Sequence, residues 1–343
     1  MSYSEKNLGT TGISRVRPKV SIVIPAFNEE GNLEKLYSEL TKILPALELT
    51  WEIIFADDGS ADKTWENIKA LRKRDERVKA VRLSRNFGHQ YALLAGLRHA
   101  EGDAVISMDA DMQHPPELIL KLVEEWRKGN KIVKTIRSNP SDYSVVKKIT
   151  SQLFYKVFSY LSGVNLQDGM ADFRLLDRQV LNDILQFREE GLFLRGIVEW
   201  VGYPSTSISY QCANRYSGKT KYTFRKMLRF GWRGVSSFSI VPLRIGVLIG
   251  FAASGISFLG VLYAIYGRVI EGHAVPGWAS SIAIISFLFG VLFIFLGLLG
   301  EYLGRVLLEV RQRPRFLISE RLGTGDFTMH AVQPADLMSD RNR

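Results

Sequence analysis

The 343-residue chain holds a single cysteine, Cys212. One thiol excludes an intramolecular disulfide and any cysteine-built zinc site, and it fits a reducing compartment. The five histidines (89, 99, 114, 273 and 330) show no HExxH or similar ligand spacing, so the zinc-hydrolase signature is missing as well. No GxGxxG cradle follows the first apolar run; PAFNEEGN stands there, which argues against a dinucleotide-binding domain. Acidic residues are missing between Glu199 and Glu271, a stretch that carries Arg215, Lys219, Lys221, Arg225, Lys226, Arg229, Arg233 and Arg244. Much of the formal charge of +10 thus sits directly before apolar sequence. That position points to an anionic membrane surface as partner and away from nucleic acid. Residues 1–19 lack an apolar core, so no cleavable signal peptide is expected there.

Two stretches contain no charged side chain, Ile245 to Gly267 and Ala274 to Gly300. Each exceeds the ~20 apolar residues that a bilayer crossing takes. A short loop would make them a hairpin, and that loop offers only Arg268 and Glu271. Basic residues crowd both outer flanks, with Arg305, Arg311, Arg313 and Arg315 on the far side. The positive-inside rule then places the amino-terminal domain and the tail in the cytoplasm, on a multi-pass inner-membrane protein. The competing reading is a pair of buried core helices.

Ahead of these spans, apolar runs at 20–24, 51–56, 78–83, 104–108 and 132–136 alternate with amphipathic helical patterns, the first beginning near Asn32. The alternation predicts an α/β fold with a doubly wound, largely parallel sheet. Beyond Arg137 a helix is expected over Tyr143 to Leu161, a polar loop over 168–175, a helix from Arg178 to Leu185 and an edge strand over 202–212. The organisation is therefore a flexible arm (1–18), a catalytic domain (19–212), amphipathic basic interface helices (213–242), a two-helix transmembrane hairpin (243–302) and a cytoplasmic tail (303–343).

Three predicted strands end in polar residues: Asn28 and Glu29, Asp57 and Asp58, Asp109 and Asp111. Ligands of open α/β sheets bind at such carboxyl ends. Two carboxylates at i and i+2 repel unless a cation lies between them, and hard oxygen ligands suit Mg²⁺ or Mn²⁺. Such an ion would neutralise a nucleotide's two phosphates and help a diphosphate leave. A plain surface turn at DAD is the alternative, which the other two strand ends weigh against.

The segments SIVIPAFNEE, ADDGS, RNFGHQYALLAGL, DADMQHPPE, ADFRL, RYSGKTKY and GLLGEYLGRVLLEVRQRPRF occur in that order. From Lys19 to Phe316 the chain resembles the family 2 glycosyltransferases of GT-A fold and polyprenyl-phosphate type. The likeness is to the bactoprenol (undecaprenyl-phosphate) glucosyltransferases of O-antigen modification above all, and also to dolichyl-phosphate mannose synthase. The resemblance implies inverting transfer of one hexose, glucose favoured, from a nucleotide sugar such as UDP-glucose to polyprenyl phosphate at the cytoplasmic face. It implies that Pro25, Phe27, Glu29 and Asp57 or Asp58 hold the nucleoside. Asp109 and Asp111 would hold the metal and diphosphate, supported by Gln113, and Asp172 of ADFRL would stand where the family places its presumed base. A structural pairing of Asp172 with Arg174 is the other reading of that residue. A lipid phosphate is already largely anionic at pH 7, so Asp172 would orient more than deprotonate.

Arg137, Arg215, Lys219 and Lys221 are the candidates for the acceptor phosphate; simple juxtamembrane anchoring is their alternative. Arg85 and His89 read equally as helix-start packing. The family's precedent also implies a homo-oligomer. A Q-x-x-R-W motif, which would mark processive polymer synthases, is absent. Mannose, N-acetylglucosamine or an aminopentose are the alternative sugars. A lipid carrier or flippase component is the alternative class, disfavoured because neither span carries an ionisable residue. A non-catalytic nucleotide-sugar sensor is disfavoured by the intact motifs.

Overall fold

The computed structural model describes residues 18–138, 169–187, 194–211, 241–269 and 277–325. Apolar, β-branched-rich runs become strands and amphipathic runs become helices. The elements are β1 (Lys19–Ala26), α1 (Leu33–Ile43), β2 (Thr50–Asp57), α2 (Thr64–Arg74), β3 (Val78–Leu83), α3 (His89–Arg98), β4 (Ala104–Ser107), α4 (Leu118–Arg127) and β5 (Ile132–Ser138). There follow β6 (Met170–Asp177), α5 (Arg178–Gln186), α6 (Leu194–Trp200), β7 (Ser205–Gln211), α7 (Val241–Val269), α8 (Trp278–Arg311) and β8 (Ile318–Leu322). One sheet holds all the strands in the order β7-β5-β6-β4-β1-β2-β3-β8. β1 pairs in parallel with β2 and β4, β2 with β3, and β5 with β7. The doubly wound, mostly parallel α/β sheet predicted from the alternation is the architecture found.

Alternate residues of each strand point to opposite faces. Along β1, Ile22 and Ile24 enter a core with Leu36, Trp65 and Ile119, while Val23 enters a second core with Ile54, Leu94 and Val180. Helices cover both faces, which is why the inner strands read as continuous apolar runs with no polar alternation.

Two elements differ from the sequence expectation. The expected polar loop at ADFRL is strand β6, antiparallel to both β4 and β5. Its charges are compatible with the middle of a sheet because they sit on one face and neutralise each other. Phe173 and Leu175 enter the first core while Asp172 pairs with Arg174 on the other side. The expected cytoplasmic tail from residue 303 is also more than a tail: α8 runs on to Arg311, and Ile318–Leu322 return to the sheet as β8, antiparallel to β3.

α7 and α8 are helices of 29 and 34 residues. Among the described residues one helical stretch, Phe287–Arg311, is long and apolar enough to cross a membrane; Gly246–Gly260 forms a shorter apolar one. By that measure only the second of the two expected spans is met. Phe287, Phe293 and Ile294 are exposed along α8. At Gly246 an added Cβ would run into the Phe295 ring, so this glycine is used for close approach of the two helices within the chain.

At the amino end of the sheet Lys19 and Lys79 each bridge Glu52 and Glu101, at 2.6 to 2.9 Å. Hydrogen bonds from the two lysines bring Glu101 down to about 2. Burial pushes Glu52 up, but bonds from Lys19, Ser21 and Lys79 outweigh it and leave it below the usual range. Carboxyls depressed in the folded state stabilise above their unfolded value, near 4.3, and that contribution disappears as pH falls towards about 2. The urea midpoint is therefore expected to drop between pH 5 and pH 3, and Glu101→Gln to flatten that drop.

Candidate active site

The carboxyl ends of β1 and β4 flank the point where the strand order reverses, the place where open α/β sheets form a ligand crevice. A cleft of about 340 Å³ lies there, lined by Pro25, Phe27, Glu29, Asp58, Asp109 and Asp111, with Asn86, Gly88 and His89 on its far wall. Six residues singled out from sequence are thus brought together.

The β1 turn is fixed to the β2 turn by a set of short bonds. Asn28, in the left-handed region at φ 54°, donates from its backbone N to Ser60 Oγ (3.0 Å) and accepts from Ala61 N at Oδ1 (3.0 Å). Glu29 N donates to Thr64 Oγ1 at 2.8 Å. These bonds hold Phe27, 42% exposed, over the cleft as an apolar plate, the kind of surface on which a base stacks. Burial pushes the Glu29 carboxyl up, and the nearby Asp111 and Asp109 push it further, against a bond from Asn32.

The two aspartates that end β2 behave differently from each other. Asp58 forms part of the wall and accepts from Phe87 N (2.8 Å) and Gly88 N (2.9 Å), so it fastens the RNFG loop. Asp57 lies beneath the cleft with no exposed surface, accepting from Ser60 N at 3.1 Å and lying 3.2 Å from Arg82 Nε. Between this pair and Ser60, Gly59 sits at φ +68°, and a Cβ there would come within 2.6 Å of the Arg85 carbonyl carbon. Gly59→Ala is accordingly expected to cost roughly 1–3 kcal/mol in urea unfolding, because both the backbone angle and the space oppose a side chain.

In the DAD turn, Asp109 N donates to His114 Nδ1 at 3.1 Å, which assigns that imidazole's proton to Nε2. His114 is buried, stacks on Phe173 at 5.0 Å, and is pushed towards the neutral form by that burial. Gln113 supports Asp111 through its backbone, N to Oδ1 at 3.1 Å. Asp109 Oδ1 is shut off from water and accepts no hydrogen bond. Unsatisfied carboxylate oxygen, a second aspartate two residues on and a third acid disturbed by both form a donor set that fits a hard divalent cation. Among the described residues no group of three or more His, Cys, Asp or Glu side chains is placed to hold a metal. Asp109 and Asp111 would hold Mg²⁺ or Mn²⁺ as such ions are usually held, by two carboxylates together with substrate phosphates and water.

Asp172 is buried and surrounded by donors. Its oxygens accept from Arg195 Nε (3.0 Å) and Nη2 (2.8 Å), from Arg174 Nη2, and from Gln90 Nε2 (3.2 Å). Burial alone would raise it, but the Arg195 and Arg174 guanidiniums dominate and hold it far below the usual carboxylate range. The Arg174 pairing weighed from sequence is present, and a carboxylate so held is a poor proton acceptor. Arg195 and Gln90 carry no sequence signal: Arg195 stands on α6, for which no element is expected from sequence, and Gln90 on a helix that reads only as packing. His89, left open between a site role and helix-start packing, is a cleft residue, with Nε2 3.5 Å from Asp109 and 3.8 Å from Asp172. Gly88 at φ 108° turns the chain so that α3 begins at the cleft edge.

Arg137 stands at the end of β5, its N donating to Gly169 O (2.9 Å), and is not among the cleft-lining residues; its charge is felt at His114. Arg215, Lys219 and Lys221, like the interface helices of 213–242 for the most part and the helix expected over 143–161, lie outside the described residues.

The family model for glycosyl transferase family 2 matches residues 21–185, from β1 to the end of α5. An uncharacterised glycosyltransferase of Synechocystis is 42% identical over 89% of this chain and 96% of its own length. The bactoprenol glucosyl transferase of Shigella phage SfX is 38% identical over 88% of this chain and 99% of its own. The solved mannosyltransferase PcManGT from Pyrobaculum calidifontis, in complex with GDP-Man and Mn²⁺, aligns at 18% identity over 86% of this chain and 84% of that one, with a TM-score of 0.45. The Synechocystis and Shigella phage likenesses extend over nearly the whole of both chains, and on them this chain belongs to glycosyl transferase family 2 and is a glycosyltransferase related to the bactoprenol glucosyl transferases.

Proposed function

We propose that the enzyme transfers one hexose, glucose first, from UDP-glucose to the phosphate of a polyprenol such as undecaprenol, with inversion at the anomeric carbon. The observation that carries this reading is the acid pair Asp109 and Asp111, with an unbonded carboxylate oxygen, in a cleft beside an exposed aromatic plate. Relatives named bactoprenol glucosyl transferase support the sugar and the acceptor.

In this reading Phe27 and Pro25 receive the base, with Glu29 and Asp58 shaping the nucleoside's side of the cleft. Asp57 acts from beneath. Asp109 and Asp111 would hold a divalent ion, which would neutralise the departing diphosphate. A lipid phosphate oxygen forms the new bond to the anomeric carbon, and the bond to the diphosphate breaks, its electron pair leaving with UDP. Because the nucleophile is already ionised, its second pKa being about 6, no base need take a proton. Asp172 then serves to hold Arg195 and Gln90 beside the reaction rather than to deprotonate. Arg137, Arg215, Lys219 and Lys221 receive the acceptor's phosphate from the membrane side.

The reaction belongs to the cytoplasmic face, with α7 and α8 as a membrane hairpin and both termini inside, and the protein works as a homo-oligomer. A donor panel (UDP-glucose, GDP-mannose, UDP-N-acetylglucosamine and a nucleotide aminopentose) tests the sugar. Glucolipid with the anomeric configuration opposite to the donor's is expected. Product from another donor alone reassigns the sugar, and product of retained configuration overturns the mechanism.

A further inference from the structure

We propose that Glu320, on the strand that follows the membrane helix, is a positioning residue for the donor nucleotide, acting through Arg82 on the turn beneath the cleft. The inference rests on the reading of the cleft as the nucleotide-sugar site.

β8 begins only a few residues after α8 ends, at Arg311, and the link is anchored before the strand starts. Phe316 packs against the second core and against the cluster of Ala56, Val81 and Ala92, and the Arg98 guanidinium lies 5.3 Å from the centre of its ring. Leu317 O accepts from Ser84 N at 2.9 Å, which sets the register that puts Glu320 beside Arg82.

Glu320 is bonded on both oxygens. Oε2 accepts from Trp65 Nε1 at 3.0 Å and Oε1 from Arg82 Nη1 at 3.1 Å. Arg82 spends its remaining nitrogens on the β2 turn: Nη2 donates to Ser60 O at 3.2 Å, and Nε lies 3.2 Å from Asp57 Oδ2. Asp57 binds Ser60, and Ser60 Oγ accepts the backbone N of Asn28, the residue next to Phe27. A continuous series of polar contacts therefore joins the returning tail strand to the plate on which the base would stack. Asp57 is wholly buried, and the Arg82 guanidinium beside it opposes the rise that burial imposes on its carboxyl. Without Glu320 the long Arg82 side chain loses the partner that fixes its outer end, and its order at Asp57 and Ser60 weakens.

The test uses the full-length protein. Glu320→Gln keeps an acceptor for Trp65 and removes the charge facing Arg82. With UDP-glucose and undecaprenyl phosphate as substrates, its KM for UDP-glucose is expected to rise roughly five- to tenfold while kcat stays within about twofold. Its KM for the lipid should not move. Ser319→Ala, which removes a hydroxyl of β8 that donates to Arg82 O on β3, should leave the donor KM as it is. In an Arg82→Gln background, Glu320→Gln should add nothing further.

Hydrogen exchange needs no turnover and supplies the second readout: the Asn28 and Ser60 amides should exchange faster in Glu320→Gln than in the parent. An unchanged donor KM, an equal shift in Ser319→Ala, or unchanged exchange at both amides overturns the proposal. If the parent protein makes no glycolipid from UDP-glucose, the assignment of donor fails by itself, and the exchange result still decides the link from Glu320 to the turn.

Discussion

Asp111→Asn is expected to reduce glycolipid formation by about 10²–10³-fold or more, the range seen when one preorganised electrostatic contact to developing charge is removed. Thermal unfolding should be nearly unchanged, because Asp111 is only partly buried and accepts from the Gln113 backbone, a bond that an asparagine oxygen also accepts. The loss should be in kcat more than in the lipid KM, since the carboxylate is used as the diphosphate departs. Raising the divalent ion concentration should recover part of the activity if the aspartate's role is to hold that ion. Asp109→Asn should resemble it, because the bond from its backbone N to the buried His114 survives the substitution. An Asp111→Asn protein of parental activity would remove the acid pair from the mechanism.

Asp172→Asn should behave in another way. The substitution leaves Arg174, 3% exposed, and Arg195 without their shared carboxylate. Breaking a buried pair from one side costs about 3–5 kcal/mol, so a clear fall in Tm is expected along with the loss of activity. The pH dependence separates this account from general-base catalysis. Asp172 is depressed in the folded state, so it stays ionised, and its stabilising effect stays in place, at every pH above its unfolded value near 3.9. The kcat profile between pH 5 and pH 8 should then contain no limb that disappears in Asp172→Asn. A variant of parental Tm, lacking only an acid limb of kcat, would restore the base and refute the positioning role. Asp172→Glu, which keeps the charge but displaces it by one methylene, should recover stability better than activity.

The parts of this fold that were legible in sequence share a property: their signal is local. β1, β2 and β4 are apolar runs buried on both faces, and their polar ends fall at the cleft because the sheet is wound that way. DAD and PAFNEE are short motifs at strand ends, each recognisable by itself, although the PAFNEE turn is held in place by Ser60, Ala61 and Thr64 of the β2 turn. What was not legible depends on distant neighbours. β6 reads as a polar loop until Asp172 and Arg174 are seen to neutralise each other, and the second guanidinium, Arg195, comes from another helix. β8, ISERL, is an edge strand whose middle three residues are exposed, Glu320 and Arg321 among them; it is specified by β3, far away in sequence, and by the half-buried Phe316 ahead of it. RNFGHQ leaves His89 open between site and packing, because nothing in it shows that the glycine turns the ring towards Asp109. The choice between Asp57 and Asp58 was open in sequence, and the structure separates them by depth, one in the wall and one below it.

The most direct test of the central claim is radiolabel transfer by the purified full-length protein in detergent micelles or liposomes containing undecaprenyl phosphate, with UDP-[¹⁴C]glucose and Mg²⁺ or Mn²⁺. Labelled lipid that disappears with EDTA and returns when the metal is restored is the result predicted. No labelled lipid with either ion, or transfer that EDTA leaves untouched, would contradict the account.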